Sequence, residues 1–191
     1  MIIALVNRKG GVSKTTSSGY LAAVLKEAGR TVTGIDTDPE KGWKKWHDTG
    51  ALPYPVITGD HKNLGVLVRE IEGDIIIDTP PNDGEIIYKA ALLADEVIVP
   101  IAATGHDVNR LASTLITVAD IEQSRGKPLA SVLLTRWRGG LTIGKEVLDA
   151  LTEREIPILD ARIRHLTRYE SFTAPEYLDE YCDVLKELEV I

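Results

Sequence analysis

The sequence predicts an α/β fold: a doubly wound, mostly parallel sheet with helices on both faces. Short apolar runs rich in β-branched residues alternate with segments of helical period, which is the pattern of repeated strand–helix units. Several of the runs are continuously apolar, as expected of strands that helices cover on both faces. The 191 residues, 43% of them hydrophobic and 27% charged, suffice for one buried core, so residues 1–191 are predicted to form a single domain.

Each predicted element follows from its local pattern. Six runs are predicted to be strands: 2–7, 31–36, 74–78, 96–101, 130–135 and 156–159. Residues 15–28 are predicted to form a helix that buries one face: Tyr20, Leu21, Val24, Leu25 and Ala28. Residues 50–56 are predicted to be a loop. From Pro175 to about Glu189 we predict an amphipathic helix with these residues inward: Tyr177, Leu178, Tyr181, Leu185 and Leu188.

Composition excludes several classes of function. The single cysteine, Cys182, excludes an internal disulfide and a cysteine-clustered metal centre within one chain, and the four histidines form no paired metal-binding motif. No apolar run approaches the ~18 residues of a membrane span, and the start of the chain lacks a secretory signal. We therefore expect a cytoplasmic protein with no membrane partner.

Charge is unevenly distributed along the chain. The formal net charge of −7 argues against binding nucleic acid through the whole surface, yet residues 125–168 carry nine Lys or Arg against five Asp or Glu. This excess is either a basic patch or the ordinary charge of solvated helix faces. Two arginine pairs in it are spaced i, i+2 and would project together from an extended segment. The candidate DNA contacts are Arg136, Arg138, Arg162, Arg164 and Arg168.

A phosphate-binding loop is predicted after the first strand. Gly10 and Gly11 allow the backbone to approach an anion closely, and the helix that begins near Lys14 directs free N–H groups and its positive dipole end toward that anion. We expect Lys14 to neutralise the β- and γ-phosphates and the Thr15 hydroxyl to ligate Mg²⁺. The alternative is a glycine turn before a helix that carries a surface lysine.

Acidic residues follow two further strands at the same edge of the predicted sheet. The sequence D-T-D-P-E ends the second strand at residues 36–40, and Asp78 ends the third. Ligands of such sheets bind at the carboxyl ends of the strands, where a carboxylate at Asp78 can hold Mg²⁺ through a water. The structural alternative is helix N-capping, for which Asp38 before Pro39 has a suitable sequence.

These motifs together resemble those of the ParA/MinD ATPases. Residues 9–16, K-G-G-V-S-K-T-T, resemble the deviant Walker A motif K-G-G-x-G-K-[ST]-[ST] of that family, from which only Ser13 departs. Residues 36–40 are similar to its D-x-D-P-Q box, with Glu for Gln, and residues 78–81 are similar to its D-x-P-P box. The resemblance extends over residues 1 to about 140 and is weaker beyond them.

This resemblance implies a P-loop NTPase fold and slow, partner-stimulated, Mg²⁺-dependent hydrolysis of ATP by an ATP-bound homodimer. Lys9 would cross to the partner's phosphates and stabilise the charge that develops during phosphoryl transfer. Asp38 would orient the attacking water, and Asp36 and Asp78 would support Mg²⁺. The implied nucleotide contacts are Lys9, Gly10, Gly11, Val12, Ser13, Lys14, Thr15 and Thr16, with Thr135 and Arg136 beside the base.

Within the family, the chain most resembles the short partition ATPases of the ParF type, because it begins directly at the first strand and ends without a basic tail. That subtype implies partition of plasmid or chromosomal DNA, nonspecific DNA binding by the ATP-bound dimer, nucleoid association, and a small centromere-binding adaptor protein as partner. Two alternatives stay open. One is a related ATPase that positions a non-DNA cargo or assists DNA processing. The other is an ATP-dependent small-molecule ligase, which would gain nothing from Lys9.

Overall fold

The computed structural model describes residues 1–102, 107–126, 129–138, 148–149, 151–152, 156–171, 173–176 and 178–191. Tyr177, predicted to point inward, and part of the basic region 125–168 lie outside the described residues. In the described part of the chain, no helix is long and apolar enough to cross a membrane.

The described residues form one sheet of seven parallel strands. The strands are β1 (Ile2–Leu5), β2 (Val32–Asp36), β3 (Val56–Thr58), β4 (Asp74–Asp78), β5 (Glu96–Ala102), β6 (Ala130–Trp137) and β7 (Ile158–Arg164). Their order across the sheet is β3-β2-β4-β1-β5-β6-β7, and every neighbouring pair is parallel. The predicted parallel α/β sheet is therefore confirmed.

Helices cover both faces of this sheet. They are α1 (Lys14–Glu27), α2 (Gly42–Asp48), α3 (Leu64–Glu70), α4 (Gly84–Leu93), α5 (Asp107–Arg125) and α6 (Asp179–Glu187), with a 3₁₀ turn at Thr167–Glu170. Successive residues of a strand point to opposite faces, so Ile3 and Leu5 join the apolar cluster of α1, α2 and α6, whereas Ala4 and Val6 join that of α3, α4 and α5. The chain thus has one apolar layer on each side of the sheet.

Several details of the predicted elements change, among them the start of the last helix, which is at Asp179 instead of Pro175. The predicted loop 50–56 runs into β3, which the sequence does not reveal because three residues at a sheet edge are too few to show a strand pattern. Strand β7 continues to Arg164 instead of ending with the apolar run 156–159, since charged residues are common on an edge strand. Ala28 is exposed because α1 has already ended at Glu27.

Two tryptophans of α2 anchor the segment that follows β2. Both are buried, Trp43 against Gly34 of β2 and Trp46 against Gly19 of α1. A Cβ added to Gly34 would lie 2.6 Å from the Trp43 ring, and one added to Gly19 would lie 2.2 Å from the Trp46 ring, so no larger residue fits at either glycine. This packing holds the acidic loop between β2 and α2 against the end of the sheet.

The carboxyl ends of the three strands β1, β2 and β4 lie side by side. Leu5 of β1 and Asp36 of β2 both pair with Asp78 of β4 in the strand register. Two hydroxyls tie the segments that follow: Thr37 Oγ1 donates to the Asp78 carbonyl (2.7 Å), and Thr79 Oγ1 donates to the Leu5 carbonyl (2.8 Å). The predicted functional segments therefore meet at one edge of the sheet.

Candidate nucleotide-binding site

The loop between β1 and α1 has an unusual backbone. Gly11 and Ser13 both have positive φ, 73° and 66°, and with a ψ of 28° Ser13 lies in the left-handed region. A residue with a side chain costs roughly 1–2 kcal/mol in that region of backbone conformation. This cost explains why the motif K-G-G-x-G-K-[ST]-[ST] has glycine at the position of Ser13. Helix α1 begins at the next residue, Lys14, so its first N–H groups open onto the loop.

Lys14 is the buried cation of this loop. The residue is 7% exposed, and its Nζ donates to the Lys9 carbonyl oxygen (3.0 Å). Burial lowers the pKa of Lys14, and the charges of Asp78 and Asp38 oppose this effect only in part. Because the ammonium group is buried and its hydrogen bond goes to a neutral carbonyl, bound phosphates would stabilise its charged form.

Asp78, at the end of β4, is completely buried and only half satisfied. Its Oδ2 accepts a hydrogen bond from Thr15 Oγ1 (2.7 Å), while its Oδ1 is buried without a hydrogen-bond partner. Burial raises the pKa of this carboxyl to about 7; the Thr15 hydrogen bond opposes the rise, and the charge of Asp36 adds to it. A buried oxygen without a partner is rare in native proteins and needs an explanation, such as a ligand.

Thr15 and Asp78 fit a Mg²⁺ ion. Mg²⁺ prefers hard oxygen ligands and is usually held by one or two protein groups together with phosphate oxygens and water. The Thr15 hydroxyl and the Asp78 carboxylate provide such oxygens beside the loop. Among the described residues, no three His, Cys, Asp or Glu side chains converge on one point to form a metal cage of protein groups alone. The residues present therefore suit a metal that a phosphate ligand shares.

Asp36 and Asp38 shape the acidic loop after β2. Both Asp36 oxygens accept backbone N–H groups, Oδ1 from Asp38 (3.0 Å) and Oδ2 from Lys44 (2.9 Å), and burial raises the pKa of Asp36 against these hydrogen bonds. Asp38 faces the cavity described below, and its Oδ1 accepts the Glu40 N–H (2.9 Å). Lys41, not Asp38, occupies the N-cap position of α2, so the capping alternative is wrong. The Mg²⁺ role of Asp36 stays a prediction.

A cavity of about 590 Å³, large enough for a nucleotide, opens between the loop and the carboxyl ends of β6 and β7. One wall consists of residues predicted for the site: Gly10, Gly11, Ser13, Lys14, Thr15, Thr16 and Asp38. A second wall combines predicted Arg136 and Arg164 with residues that the sequence did not indicate: Trp46, Ile163, His165, Leu166, Tyr169, Ser171 and Tyr181. Lys9 does not line this cavity.

Val12 and Thr135 support the loop from behind instead of lining the cavity. Val12 is 1% exposed, and Thr135 is fully buried. The Thr135 hydroxyl contacts two backbone carbonyls, those of Ile101 (3.0 Å) and Val12 (3.3 Å). The Thr135 hydroxyl thus ties β5 and β6 to the loop, and the position of Thr135 beside the base stays a prediction.

The arginine pairs predicted to contact DNA do not project together. Arg136 has a φ of 51°, which breaks the extended alternation that would align it with Arg138. Arg136 and Arg164 line the cavity, whereas half-buried Arg162 lies in a separate hollow beside Ile158. DNA contact stays a prediction for these residues, and Arg138 is exposed without lining either cavity.

A cluster of aromatic and charged residues packs around Tyr169 of the second wall. The Arg168 guanidinium lies 5.3 Å from the centre of the Tyr169 ring, which packs edge-on against Tyr20 at 4.8 Å between centroids. Glu180 of α6 accepts hydrogen bonds from Tyr169 Oη (3.0 Å) and from the Arg164 backbone N–H (3.0 Å). The sequence contains these aromatic and charged residues, but their spacing predicts only packing and surface charge.

The sequence is similar to those of known proteins. The protein family described as CobQ/CobB/MinD/ParA nucleotide binding domain matches residues 3–174. The "Maintenance of carboxysome distribution protein A" of Gloeobacter kilaueensis is 30% identical over 175 residues, which cover 88% of this chain and 79% of that protein. The "Chromosome-partitioning ATPase Soj" of Thermus thermophilus is 25% identical over 76% of this chain and 73% of that protein.

A solved structure shows the same fold. The complex of Cyanothece McdA with ATP matches with a TM-score of 0.78 at 19% identity, covering 100% of this chain and 96% of that chain. The family match includes the phosphate loop, the acidic loop after β2 and the segment after Asp78. The resemblance to ParA/MinD proteins is thereby confirmed, and the chain belongs to the CobQ/CobB/MinD/ParA family of nucleotide-binding domains.

Proposed function

We propose that this protein is a Mg²⁺-dependent ATPase of the ParA type, whose nucleotide state controls its dimerisation and the positioning of a cargo. The observation that carries the proposal is the buried Asp78 carboxyl, half satisfied by Thr15 and close enough to Lys14 for their charges to interact. A carboxylate at this depth that served only the fold would have both oxygens paired. A cation and phosphates would complete the arrangement at Asp78.

The phosphate half of the nucleotide would occupy the loop wall of the cavity. The loop N–H groups and Lys14 would bind the phosphates, and Thr15 with Asp78 would hold Mg²⁺. When bound, Mg²⁺ neutralises negative charge on the phosphate oxygens and favours attack at phosphorus. We propose ATP as the nucleotide because the Thermus relative is named an ATPase and the Cyanothece McdA structure is a complex with ATP.

The hydrolytic step would use side chains whose positions are fixed before the nucleotide binds. Asp38 would orient the attacking water; its N–H donates to Asp36 and its Oδ1 accepts from Glu40, so its carboxylate is held in one direction. Lys14 would neutralise the phosphate charge within the same subunit. The partner subunit would supply a second lysine, Lys9, to the developing charge.

The placement of Lys9 supports the proposed dimerisation. Its carbonyl accepts Lys14 Nζ and its N–H donates to Asn7 Oδ1 (2.9 Å), which fixes the backbone of Lys9, while the residue lies outside the lining of its own cavity. A lysine at this place can act on a nucleotide in a second subunit. We therefore propose an ATP-bound homodimer in which each Lys9 completes the opposite site, with slow hydrolysis that a partner protein stimulates.

DNA is the first candidate cargo, carried as a plasmid or chromosome through a small centromere-binding adaptor protein. It is supported by the relative named as a chromosome-partitioning ATPase and by the basic excess in residues 125–168. The second candidate is a non-DNA cargo, which the relative named for carboxysome distribution favours. If DNA is the cargo, the ATP-bound dimer would bind nonspecific DNA and associate with the nucleoid.

DNA retention in two nucleotide states tests this switch. We expect nonspecific duplex DNA to bind at low salt with a nonhydrolysable ATP analogue and not with ADP, and the affinity to fall steeply with salt because counterions are released on binding. Arg138→Ala should weaken binding, whereas Lys26→Ala should not, since Lys26 is exposed near the C-terminal end of α1, away from the site. Equal binding with ADP would exclude the switch.

The partner that co-purifies with the protein distinguishes the cargoes. A small DNA-binding protein recovered together with a specific centromere sequence would support DNA partition. A protein assembly recovered without such a sequence would support the second candidate. A dimer that binds no DNA in either nucleotide state would exclude DNA partition and favour the second candidate.

A further inference from the structure

Glu180 of α6 lies behind the cavity and holds two residues that line it. Its Oε2 accepts hydrogen bonds from the Arg164 backbone N–H (3.0 Å) and from Tyr169 Oη (3.0 Å), and its Oε1 accepts one from Arg164 Nε. The Glu180 side chain is 12% exposed, and Glu180 does not itself line the cavity. Its carboxylate therefore joins the C-terminal helix to the cavity wall at two residues.

The wall that Glu180 holds is the one left for the base and ribose. A nucleotide with its phosphates on the loop would extend through the cavity toward the end of β7 and the 3₁₀ turn, which line its other side. That wall contains apolar and aromatic side chains suited to a base, among them Ile163, Leu166 and Tyr169. Burial, and next the charge of Glu180, raise the pKa of Tyr169 to about 12, so its hydroxyl remains a donor at neutral pH.

Glu187 provides a natural comparison on the same helix. Its Oε1 and Oε2 accept the backbone N–H groups of Asp160 (2.5 Å) and Ala161 (3.0 Å) in β7. Both N–H groups are available because the β6–β7 register is irregular between the pairs Val132–Ile158 and Leu134–Arg162. Both glutamates thus cover the edge strand, but the residues held by Glu187 do not line the cavity.

We infer that Glu180 is a positioning residue for nucleotide binding: by fixing Arg164 and Tyr169 it sets the affinity for the base and ribose without touching the nucleotide. This role rests on the proposed function, because it requires that the cavity bind a nucleotide. The Arg164 side chain is 61% exposed, and the Glu180 carboxylate already restricts its rotamers in the free protein. Without this carboxylate, nucleotide binding would have to restrict those rotamers, which would cost affinity.

The test compares Glu180→Gln with Glu187→Gln, which removes the same charge from the same helix. The amide at position 180 presents an N–H group to donors of Arg164 and Tyr169 and breaks at least one hydrogen bond. By calorimetry we expect Glu180→Gln to raise the Kd of a nonhydrolysable ATP analogue and that of ADP by the same factor, about tenfold, because both contain the base and ribose. The kcat at saturating ATP should be unchanged, and Glu187→Gln should leave both Kd values within about twofold.

A double variant separates positioning from a general loss of packing. Once Arg164→Met has removed the guanidinium, adding Glu180→Gln should raise Kd by less than it does in the wild-type background. An unchanged Kd in Glu180→Gln, an equal rise in Glu187→Gln, or a fully multiplicative double variant would overturn the role of Glu180. A wild-type protein that binds neither nucleotide would overturn the proposed function itself.

Discussion

Strand β4 has an aspartate at each end, and the two carboxylates differ in how many of their oxygens have hydrogen-bond partners. Asp74, at the amino end, accepts hydrogen bonds from Arg30 Nε (2.6 Å), Arg30 Nη2 (2.8 Å) and the Met1 amino group (3.2 Å). Asp78, at the carboxyl end, has one oxygen paired with Thr15 and the other without a partner. Both residues are buried, so the difference lies in the groups around them.

The pKa values of the two carboxyls therefore move in opposite directions. Burial alone would raise the pKa of Asp74, but the hydrogen bonds from Arg30 and the amino terminus outweigh it, and the pKa is lowered. Asp74 thus stabilises the fold above its unfolded pKa of about 3.9 and loses this contribution as pH falls through the folded pKa. Asp78, with its pKa raised by burial to about 7, stabilises the ligand-free fold in acid and loses that contribution as pH rises through about 7.

This difference shows that charged groups are paired by hydrogen bonds at the amino end of β4 and not at its carboxyl end. At the amino end a cation and a carboxylate are bonded to each other, which favours the folded state. At the carboxyl end Lys14 Nζ donates to the Lys9 carbonyl and not to Asp78, so two buried ionisable groups both lack a bonded partner of opposite charge. The first end contributes to stability, and the second is available to a ligand.

The largest effect is expected from Lys14→Ala, which removes the buried cation of the carboxyl end. Nucleotide affinity should fall at least ~100-fold, because the phosphates lose their charged partner. Lys9→Ala should retain nucleotide binding but lose ATP-dependent dimerisation or turnover. Calorimetry and light scattering measure the two properties separately, and an equal loss of nucleotide binding in both variants would exclude action of Lys9 across the dimer.

A smaller effect, on the free energy of unfolding instead of nucleotide affinity, is expected at the amino end of β4. Asp74→Asn should lower the free energy of unfolding by about 2 kcal/mol at pH 7, below the usual range for a broken buried pair because the Arg30 side chain is 37% exposed. The loss should shrink as pH falls toward 3, where wild-type Asp74 also begins to lose its charge. Urea denaturation measures both. Nucleotide affinity should be unchanged. A large loss of nucleotide affinity would contradict the assignment of stability to the amino end of β4 and of ligand binding to its carboxyl end.

The smallest effect is expected at Ser13. Replacing it by glycine relieves the left-handed backbone and should raise stability by up to about 1 kcal/mol, with faster ATP turnover if the strain opposes the reacting conformation. Lys41→Gly is the control, since Lys41 has a φ of 54° and does not line the cavity. It should give a similar gain in stability and no change in rate. An unchanged rate of ATP turnover in Ser13→Gly would show that the backbone strain at Ser13 does not slow turnover.

The loop wall of the site could be predicted because its residues are close in sequence. Gly10 to Thr15 form one contiguous motif, and Asp78 ends an apolar run that reads as a buried strand, so local pattern places both at the carboxyl edge. Strand β3 has only three residues and gives no such pattern. Fold class and phosphate loop thus follow from local chemistry, while short edge elements do not.

Apart from Arg136 and Arg164, the second wall could not be predicted, because tertiary packing alone brings its parts together. Arg164 and Glu180 read as separate surface charges sixteen positions apart, yet they form an ion pair behind the cavity. The i, i+2 spacing of Arg136 and Arg138 indicates a shared face only if the strand stays extended, and the positive φ of Arg136 ends that regularity. Charge counted along a sequence therefore misplaces residues whose partners come from another element.

The contrast between the two ends of β4 depends on the Asp78 oxygen that lacks a hydrogen-bond partner. The substitution Asp78→Asn tests its role. The unfolding free energies of wild type and variant should be compared without ligand at pH 5 and pH 8, and at pH 8 with Mg²⁺ and a nonhydrolysable ATP analogue. Without ligand, the variant should exceed wild type by roughly 1–2 kcal/mol at pH 5, where only the unfolded Asp78 ionises, and by roughly 4 kcal/mol at pH 8, where the buried Asp78 ionises as well. With ligand, wild type should gain more and the order should reverse. A variant that is less stable than wild type at pH 8 without ligand, and gains as much from the ligand, would contradict the role of Asp78.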